Sequence, residues 1–388
     1  MDNHEIIQKV RAGMDTVDGR LVELLQERMT LVDQIAEAKR AENIPIADEA
    51  REQQIIEGAL KIAKDEYRGE VVTFIRTVMG LSKFRQRKLL FDGVEEVLLP
   101  PPRKPQEGNL VVAYQGLPGA WGEQAALKLF PEGELKGMKT FKDVFVAVKD
   151  KEVNYGIVPI ENSKTGAIGE TYDLLRKYGC FIVGQTYVQA AHCPRHSHQT
   201  MSRLHVGLMA VPGTKISDIR EVLSHPEGLH QCAGYLKRRT WDLTECRNTA
   251  AAANWVAEKG EKRYAAIGSR RAAELYGLEV LEDNITDDQS NSTRFITIAD
   301  EPEYDSSCDM VSITFRTSHR SGALCEVLFH FMAGGINLTR IESRPMIGDK
   351  YCFFADLEGN IEDDNVQRGL RHAAASCGYL EVLGCYPG

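Results

Sequence analysis

The chain has 388 residues, 43% hydrophobic and 27% charged, with 33 glycines and 14 prolines. That balance excludes disordered, collagen-like and low-complexity classes and suits about two to four folded domains, while a formal net charge of −9 argues against an extended nucleic-acid-binding surface. No apolar run approaches the ~20 residues of a membrane helix, the first residues carry Asp2, Glu5 and Lys9 instead of a signal core, and nine cysteines without CxxC spacing fit reduced thiols, so a cytoplasmic protein is expected.

Through the first ninety residues Ile6, Ile7, Val10, Met14, Val17, Leu21, Leu24, Leu25, Leu31, Val32 and Ile35 recur at helical intervals, which predicts an amphipathic helix over 5–40. Asn43 and Pro45 break it, and Asp48 is a good N-cap for a second helix carrying Ile55, Ile56, Leu60 and Ile62. A third is predicted over 70–91. Three helices without strands make an all-α module, placed at 1–94. Arg28 and Lys39 share a face about 16 Å apart and can converge on a small anion. Arg11 lies about 25 Å from Arg28 along the axis, so it would reach the same ligand only from an antiparallel partner chain. Asp48, Arg51 and Glu52 fall within one turn, and Ser82 and Gln86 stand at i and i+4 on one face. Taken alone, these charges read as solvated helix faces.

Residues 95–108 hold four prolines within 100–105 and predict a stiff, extended linker. Residues 109–300 then alternate apolar strands (110–114, 155–160, 181–188, 206–211, 264–267 and 295–298) with helical segments (123–130, 171–177, 216–223, 229–237, 249–258 and 270–276). This predicts an α/β region with parallel strands, as one domain or two lobes around a cleft. One strand ends abruptly at Glu161-Asn162-Ser163 and a Gly-containing turn, the place where open α/β sheets gather ligand sites. Gly116-Leu117-Pro118-Gly119 follows another strand and reads as an ordinary turn. His192, Cys193, His196 and His198 form the one dense His/Cys cluster; it reads as a solvated loop, and no metal or other cofactor is expected.

An acidic stretch at 301–309 marks a second linker. Residues 310–388 read strand (310–316), helix (323–332), strand (336–343), strand (351–357), helix (364–375), strand (379–386): the βαββαβ order of a ferredoxin-like α+β unit. Gly322-Ala323-Leu324 opens a helix after a polar loop, and Glu342-Ser343-Arg344-Pro345 ends a strand. On their own these are a helix cap and a strand end.

Three resemblances join these observations. Arg11, Arg28, Lys39, Asp48-x-x-Arg51-Glu52 and Ser82-x-x-x-Gln86 resemble the all-helical chorismate mutases. The resemblance implies a pericyclic rearrangement of chorismate to prephenate, with Arg11, Arg28 and Arg51 on the two carboxylates. Lys39 and Gln86 would serve the ether oxygen, with Glu52 and Asp48 on the ring-hydroxyl side and Ser82 adding a polar contact. Pro159–Asn162, Ser224-His225-Pro226 with Gln231-Cys232, Ala265–Ser269 with Leu275–Leu278, and Thr293-Arg294-Phe295 look like prephenate dehydratase. That implies two lobes similar to periplasmic binding proteins and conversion of prephenate to phenylpyruvate. Thr293 would be the acid or donor, Glu161, Asn162, Ser224 and Gln231 polar neighbours, and Arg294 a carboxylate partner.

Gly322–Leu324 and Glu342–Pro345 match the phenylalanine-binding motifs of an ACT regulatory domain. They imply feedback inhibition between paired copies, hence a homodimer through the mutase and ACT domains, with tetramers left open. The whole chain thus resembles the bifunctional chorismate mutase–prephenate dehydratases. Glu227-Gly228 after Pro226 departs from the commoner Gln-Ala, and Gln115–Gly119 is worded as in relatives that use arogenate. Arogenate dehydration therefore stays as an alternative, as does simple capture of an amino or keto acid by binding-protein-like lobes.

Overall fold

The computed structural model describes residues 3–42, 44–46, 48–91, 99–106, 108–189, 206–287, 291–346 and 350–388. Uninterrupted by proline, the first apolar stripe forms α1 (Asn3–Glu42), 40 residues and about 60 Å long. The carboxylate of Asp48 accepts the Arg51 backbone N–H at 2.9 Å and starts α2 (Glu49–Ile62). Helix α3 (Arg68–Phe91) packs on both. On α1 only Val32 and Ala36 are buried, while Val10, Met14, Val17 and Leu24 are each more than half exposed. Most of its apolar stripe has no cover within one chain.

Two lobes follow. The first contains β1 (Val111–Gln115), α4 (Trp121–Leu129), β2 (Glu134–Met138), α5 (Phe141–Lys149), β3 (Tyr155–Asn162), β4 (Gly166–Ala167), α6 (Gly169–Tyr178) and β5 (Phe181–Gln189). The second contains β6 (Val206–Ala210), β7 (Glu221–Ser224), α7 (Pro226–Gln231), α8 (Ala233–Leu236), β8 (Asp242–Glu245), α9 (Thr249–Lys259), β9 (Tyr264–Ser269), α10 (Arg270–Tyr276) and β10 (Glu279–Glu282). The chain then re-enters the first lobe as β11 (Ser292–Ala299). Sheet orders are β2-β1-β3-β11-β5 and β10-β6-β9-β7-β8. The expected parallel sheets are mixed, because β11 returns antiparallel between β3 and β5, and β6 pairs antiparallel with β9 and β10. The helix predicted over 216–223 is a 3-10 turn (Ile216–Asp218) and then β7, whose Val222 and Leu223 are buried in the sheet.

The last module is β12 (Met310–Arg316), α11 (Ala323–Ala333), β13 (Leu338–Met346), β14 (Lys350–Glu358), α12 (Asp364–Ser376) and β15 (Tyr379–Tyr386). Its antiparallel sheet runs β13-β14-β12-β15. Strand alternation divides its side chains between two cores. Val311, Ile313 and Phe315 pack on α11 and α12, whereas Cys352, Phe354, Leu383 and Tyr386 join the core of the first lobe. Where β15 meets β5, a side chain on Gly384 would begin 2.0 Å from the Ile182 carbonyl oxygen, so only glycine admits the contact. On the opposite side α3 docks against the two helices. Lys83 Nζ reaches Glu326 at 2.9 Å, and the Phe84 ring lies 4.8 Å from that of His372.

The described part of the proline-rich segment is extended but not a free spacer. Leu99 is buried in the C-terminal core, Arg103 donates its backbone N–H to Pro302 at 3.0 Å, and its guanidinium pairs with Glu303 at 2.7 Å. Among the described residues no helix is long and apolar enough to cross a membrane. The cluster His192, Cys193, His196 and His198 lies outside the described residues.

Candidate active sites

Between the lobes lies a cavity of about 370 Å³, walled by apolar groups such as Trp121, Ile157, Pro159 and Phe295. Asn162 and Thr293 enter it from adjacent strands. The Asn162 side-chain amide donates to Thr293 Oγ1 at 2.9 Å, while its oxygen accepts the backbone N–H groups of Lys164 at 3.0 Å and Thr165 at 3.2 Å. The Thr293 oxygen therefore accepts, and its own hydrogen can be donated into the cavity. The turn is sewn to β11 by Ser163 N–H to Ser292 O at 2.8 Å.

From the second lobe come Gln231, His225, Glu227, Arg247 and the N-terminus of α9, whose Asn248 caps the Ala251 N–H at 2.7 Å. Gln231 donates to Glu227 at 3.1 Å. His225 Nδ1 accepts the Glu227 backbone N–H at 3.2 Å, and desolvation holds the ring's pKa below its ordinary value. A neutral ring in that setting carries its proton on Nε2. The Gly116–Gly119 loop closes the lobes: Ser269 Oγ donates to Gly119 O at 2.9 Å and Tyr276 OH to Pro118 O at 2.8 Å.

Three expected cleft residues do not line this cavity. In register Thr293 stands opposite Asn162, Arg294 opposite Glu161 and Phe295 opposite Pro159, so Ile160 is an extra residue that kinks β3. This bulge turns Glu161 to the reverse face, where it pairs with Arg340 at 3.4 Å. Arg294 follows Thr293 and by strand alternation also points away. It is buried and donates to Gln185 at 2.6 Å, Asp356 at 2.5 Å and Tyr386 at 2.9 Å, so it is no open carboxylate partner. Ser224 is wholly buried and donates to Ile267 O at 2.8 Å, structurally behind His225.

In the helical module, Arg28 of α1 donates to Ser82 of α3, and burial lowers the Arg28 pKa. Ser82 is buried and donates to Val78 O at 2.7 Å. Gln86, one turn on, is buried too, and its side-chain oxygen has no hydrogen-bond partner among the described residues. Glu52 of α2 pairs with Lys83 at 3.3 Å. Lys39 donates to the carbonyls of Pro45 at 2.9 Å and Ile46 at 2.7 Å, and Arg51 to Gln54 at 3.2 Å. Arg11 sits exposed on the uncovered half of α1, away from the rest.

Known proteins divide the chain along the same lines. Chorismate mutase type II matches residues 10–87 and prephenate dehydratase matches residues 112–303. The bifunctional chorismate mutase/prephenate dehydratase of Aquifex aeolicus is 31% identical over 393 residues, covering 99% of this chain and 98% of that protein. The chain belongs to the bifunctional chorismate mutase/prephenate dehydratase family. Arogenate dehydratase/prephenate dehydratase 1 of Arabidopsis thaliana is 36% identical over 72% of this chain and 73% of its own length. The solved prephenate dehydratase of Arthrobacter aurescens, in complex with L-Phe, superposes with a TM-score of 0.64 at 26% identity, over 72% of this chain and 90% of that one.

Beyond the dehydratase cleft, Gly322, Ala323 and Leu324 line an open hollow with Arg320 and Thr317 at the start of α11. Glu342–Pro345 lies on the edge strand β13, outside that hollow. Arg344 pairs with Asp173 of α6 at 3.3 Å and packs over Gly169. Two cleft residues escaped the sequence reading. His225 was carried inside a quoted motif without a role, and Arg247, an isolated arginine before a helix, gave no local signal.

Proposed function

We propose that the chain rearranges chorismate to prephenate in its helical module and converts prephenate to phenylpyruvate in the inter-lobe cleft. The observation that carries the dehydratase half is the Asn162–Thr293 pair at 2.9 Å, in a largely apolar cavity that also holds Arg247. Losing the ring carboxylate as carbon dioxide leaves its bonding electrons to aromatise the ring and expel the hydroxyl, which needs one proton to depart as water. Thr293, polarised by the Asn162 amide, would donate to that hydroxyl, with neutral His225 as a second donor. Arg247 and the α9 N-terminus would hold carboxylate charge.

The mutase step needs no proton transfer, only a compact substrate and charge complementarity. Arg28, Ser82 and Gln86 would provide these from one chain, with Lys39, Asp48, Arg51 and Glu52 around them. Arg11 would come from a second copy laid antiparallel over the uncovered half of α1. We assign 1–94 to the mutase, 109–300 to the dehydratase and 310–388 to a ferredoxin-like ACT domain in a cytoplasmic dimer. Its βαββαβ order, the hollow at Gly322–Leu324 and the L-Phe named in the Arthrobacter complex support phenylalanine as feedback inhibitor.

A product time course from chorismate tests both halves. Prephenate followed by phenylpyruvate is expected; prephenate accumulating alone would leave only the mutase. Glu227 in the cleft favours one further reading, since its carboxylate suits the ammonium of arogenate. The same assay started from arogenate, yielding phenylalanine directly, decides that point.

A further inference from the structure

Strands β3 and β11 present Asn162 and Thr293 to the cleft, and one residue away, on their reverse face, they present Glu161 and Arg294. These two stand opposite each other in register. Glu161 pairs with Arg340 at 3.4 Å and Arg294 with Asp356 at 2.5 Å. Arg340 and Asp356 are in turn register partners on β13 and β14. Four alternating charges thus close a square between the dehydratase sheet and the C-terminal sheet.

Three corners of the square are enclosed, with Arg294 5% and Asp356 7% exposed and the Arg340 side chain 13% exposed, while the Glu161 side chain is 37% exposed. Ser312 Oγ donates to the second Asp356 oxygen at 2.5 Å, and the Arg340 guanidinium lies 5.2 Å from the centre of the Tyr172 ring. Removing one partner from the buried Arg294–Asp356 pair would leave an uncompensated charge, so this contact ties β11 to β14. β13 is also the edge strand that carries Glu342–Pro345, so a ligand held there would sit on the strand that bears Arg340.

We propose that Glu161, Arg294, Arg340 and Asp356 are positioning residues for the dehydratase. They hold Thr293 and Asn162 in mutual alignment against the C-terminal sheet, and a shift of that sheet reaches the cleft through them. None of the four lines the cleft cavity. The inference rests on the dehydratase reading of the cleft, and coupling requires the two states of the sheet to differ in these contacts.

The test is steady-state kinetics of the full-length protein on prephenate, with and without L-phenylalanine, measuring mutase turnover on the same samples. No prephenate turnover by the unaltered protein would overturn the dehydratase reading itself. If it turns over, Arg340→Gln and Asp356→Asn are expected to lower kcat about tenfold, with KM within about twofold, and to move the half-inhibiting phenylalanine concentration by about threefold or more. Mutase rates should stay unchanged. Arg340→Lys, which keeps the charge at that corner, should retain more of kcat than Arg340→Gln, a split that a mere loss of folding would not show. Glu161→Gln, at the more exposed corner, serves if the buried variants fail to fold. Unaltered kcat and phenylalanine response in Glu161→Gln, or equal losses in Arg340→Lys and Arg340→Gln, would overturn the proposal.

Discussion

A threonine hydroxyl in water is a poor proton donor; Thr293 differs because the Asn162 amide occupies its oxygen and leaves its hydrogen directed at the cavity. Thr293→Val keeps the shape and removes the donor, so kcat on prephenate should fall by about 10²-fold or more with the mutase rate intact. Thr293→Ser should retain a substantial part. A valine variant with ordinary turnover would move the proton to His225. The abrupt strand end made Asn162 legible in the sequence, whereas Thr293 was legible only through the resemblance of its motif to prephenate dehydratase. Glu161 was not legible: a one-residue bulge at Ile160 reverses its face, and no residue type announces it. Arg294 was misread for a related reason, since a motif records adjacency in the chain whereas alternation decides the side.

At the scale of elements, the junction of α3 with α11 and α12 carries its own pH signature. Burial, then the Arg87 guanidinium and His372, lower the His330 pKa to about 3, against a weaker opposing pull from Glu326. An unfolded imidazole takes up its proton near pH ~6.5, so between that value and about 3 the unfolded chain binds more protons. Stability therefore falls as pH drops through this window, by up to about 1.4 kcal/mol per pH unit. Burial raises the Glu326 pKa, but Lys83 and Arg320 together overcome this and hold it below its ordinary value, so its contribution is also lost on acidification. Thermal unfolding followed from pH 7 to 4.5 should show a falling midpoint, and His330→Gln should flatten the slope. An identical slope in the variant would remove His330 from the account.

The long amphipathic helices and the strands of the C-terminal module were legible because their periodicity is unbroken. β2 and β8 were not. Glu134–Met138 and Asp242–Glu245 are edge strands, half-exposed and rich in charge, so the apolar signal of a strand is missing from them.

For the whole molecule, the C-terminal module is the common neighbour: its helices meet the mutase module and its sheet shares a core with the first lobe. The two chemistries nevertheless occupy separate residues. Arg28→Ala should abolish mutase activity while leaving turnover of supplied prephenate near normal; loss of both in a folded variant would sink the separation. The interlobe connection also bears on how the chain is made. β11, the strand carrying Thr293, follows β5 by about a hundred residues, the whole second lobe lying between. At ribosomal speeds of ~5–20 residues per second, β3 and β5 wait on the order of 5–20 s for the strand that joins them. During that interval two apolar edges stand open to wrong partners, so the nascent chain is most in need of chaperone protection after its first lobe has emerged and before Thr293 has been translated.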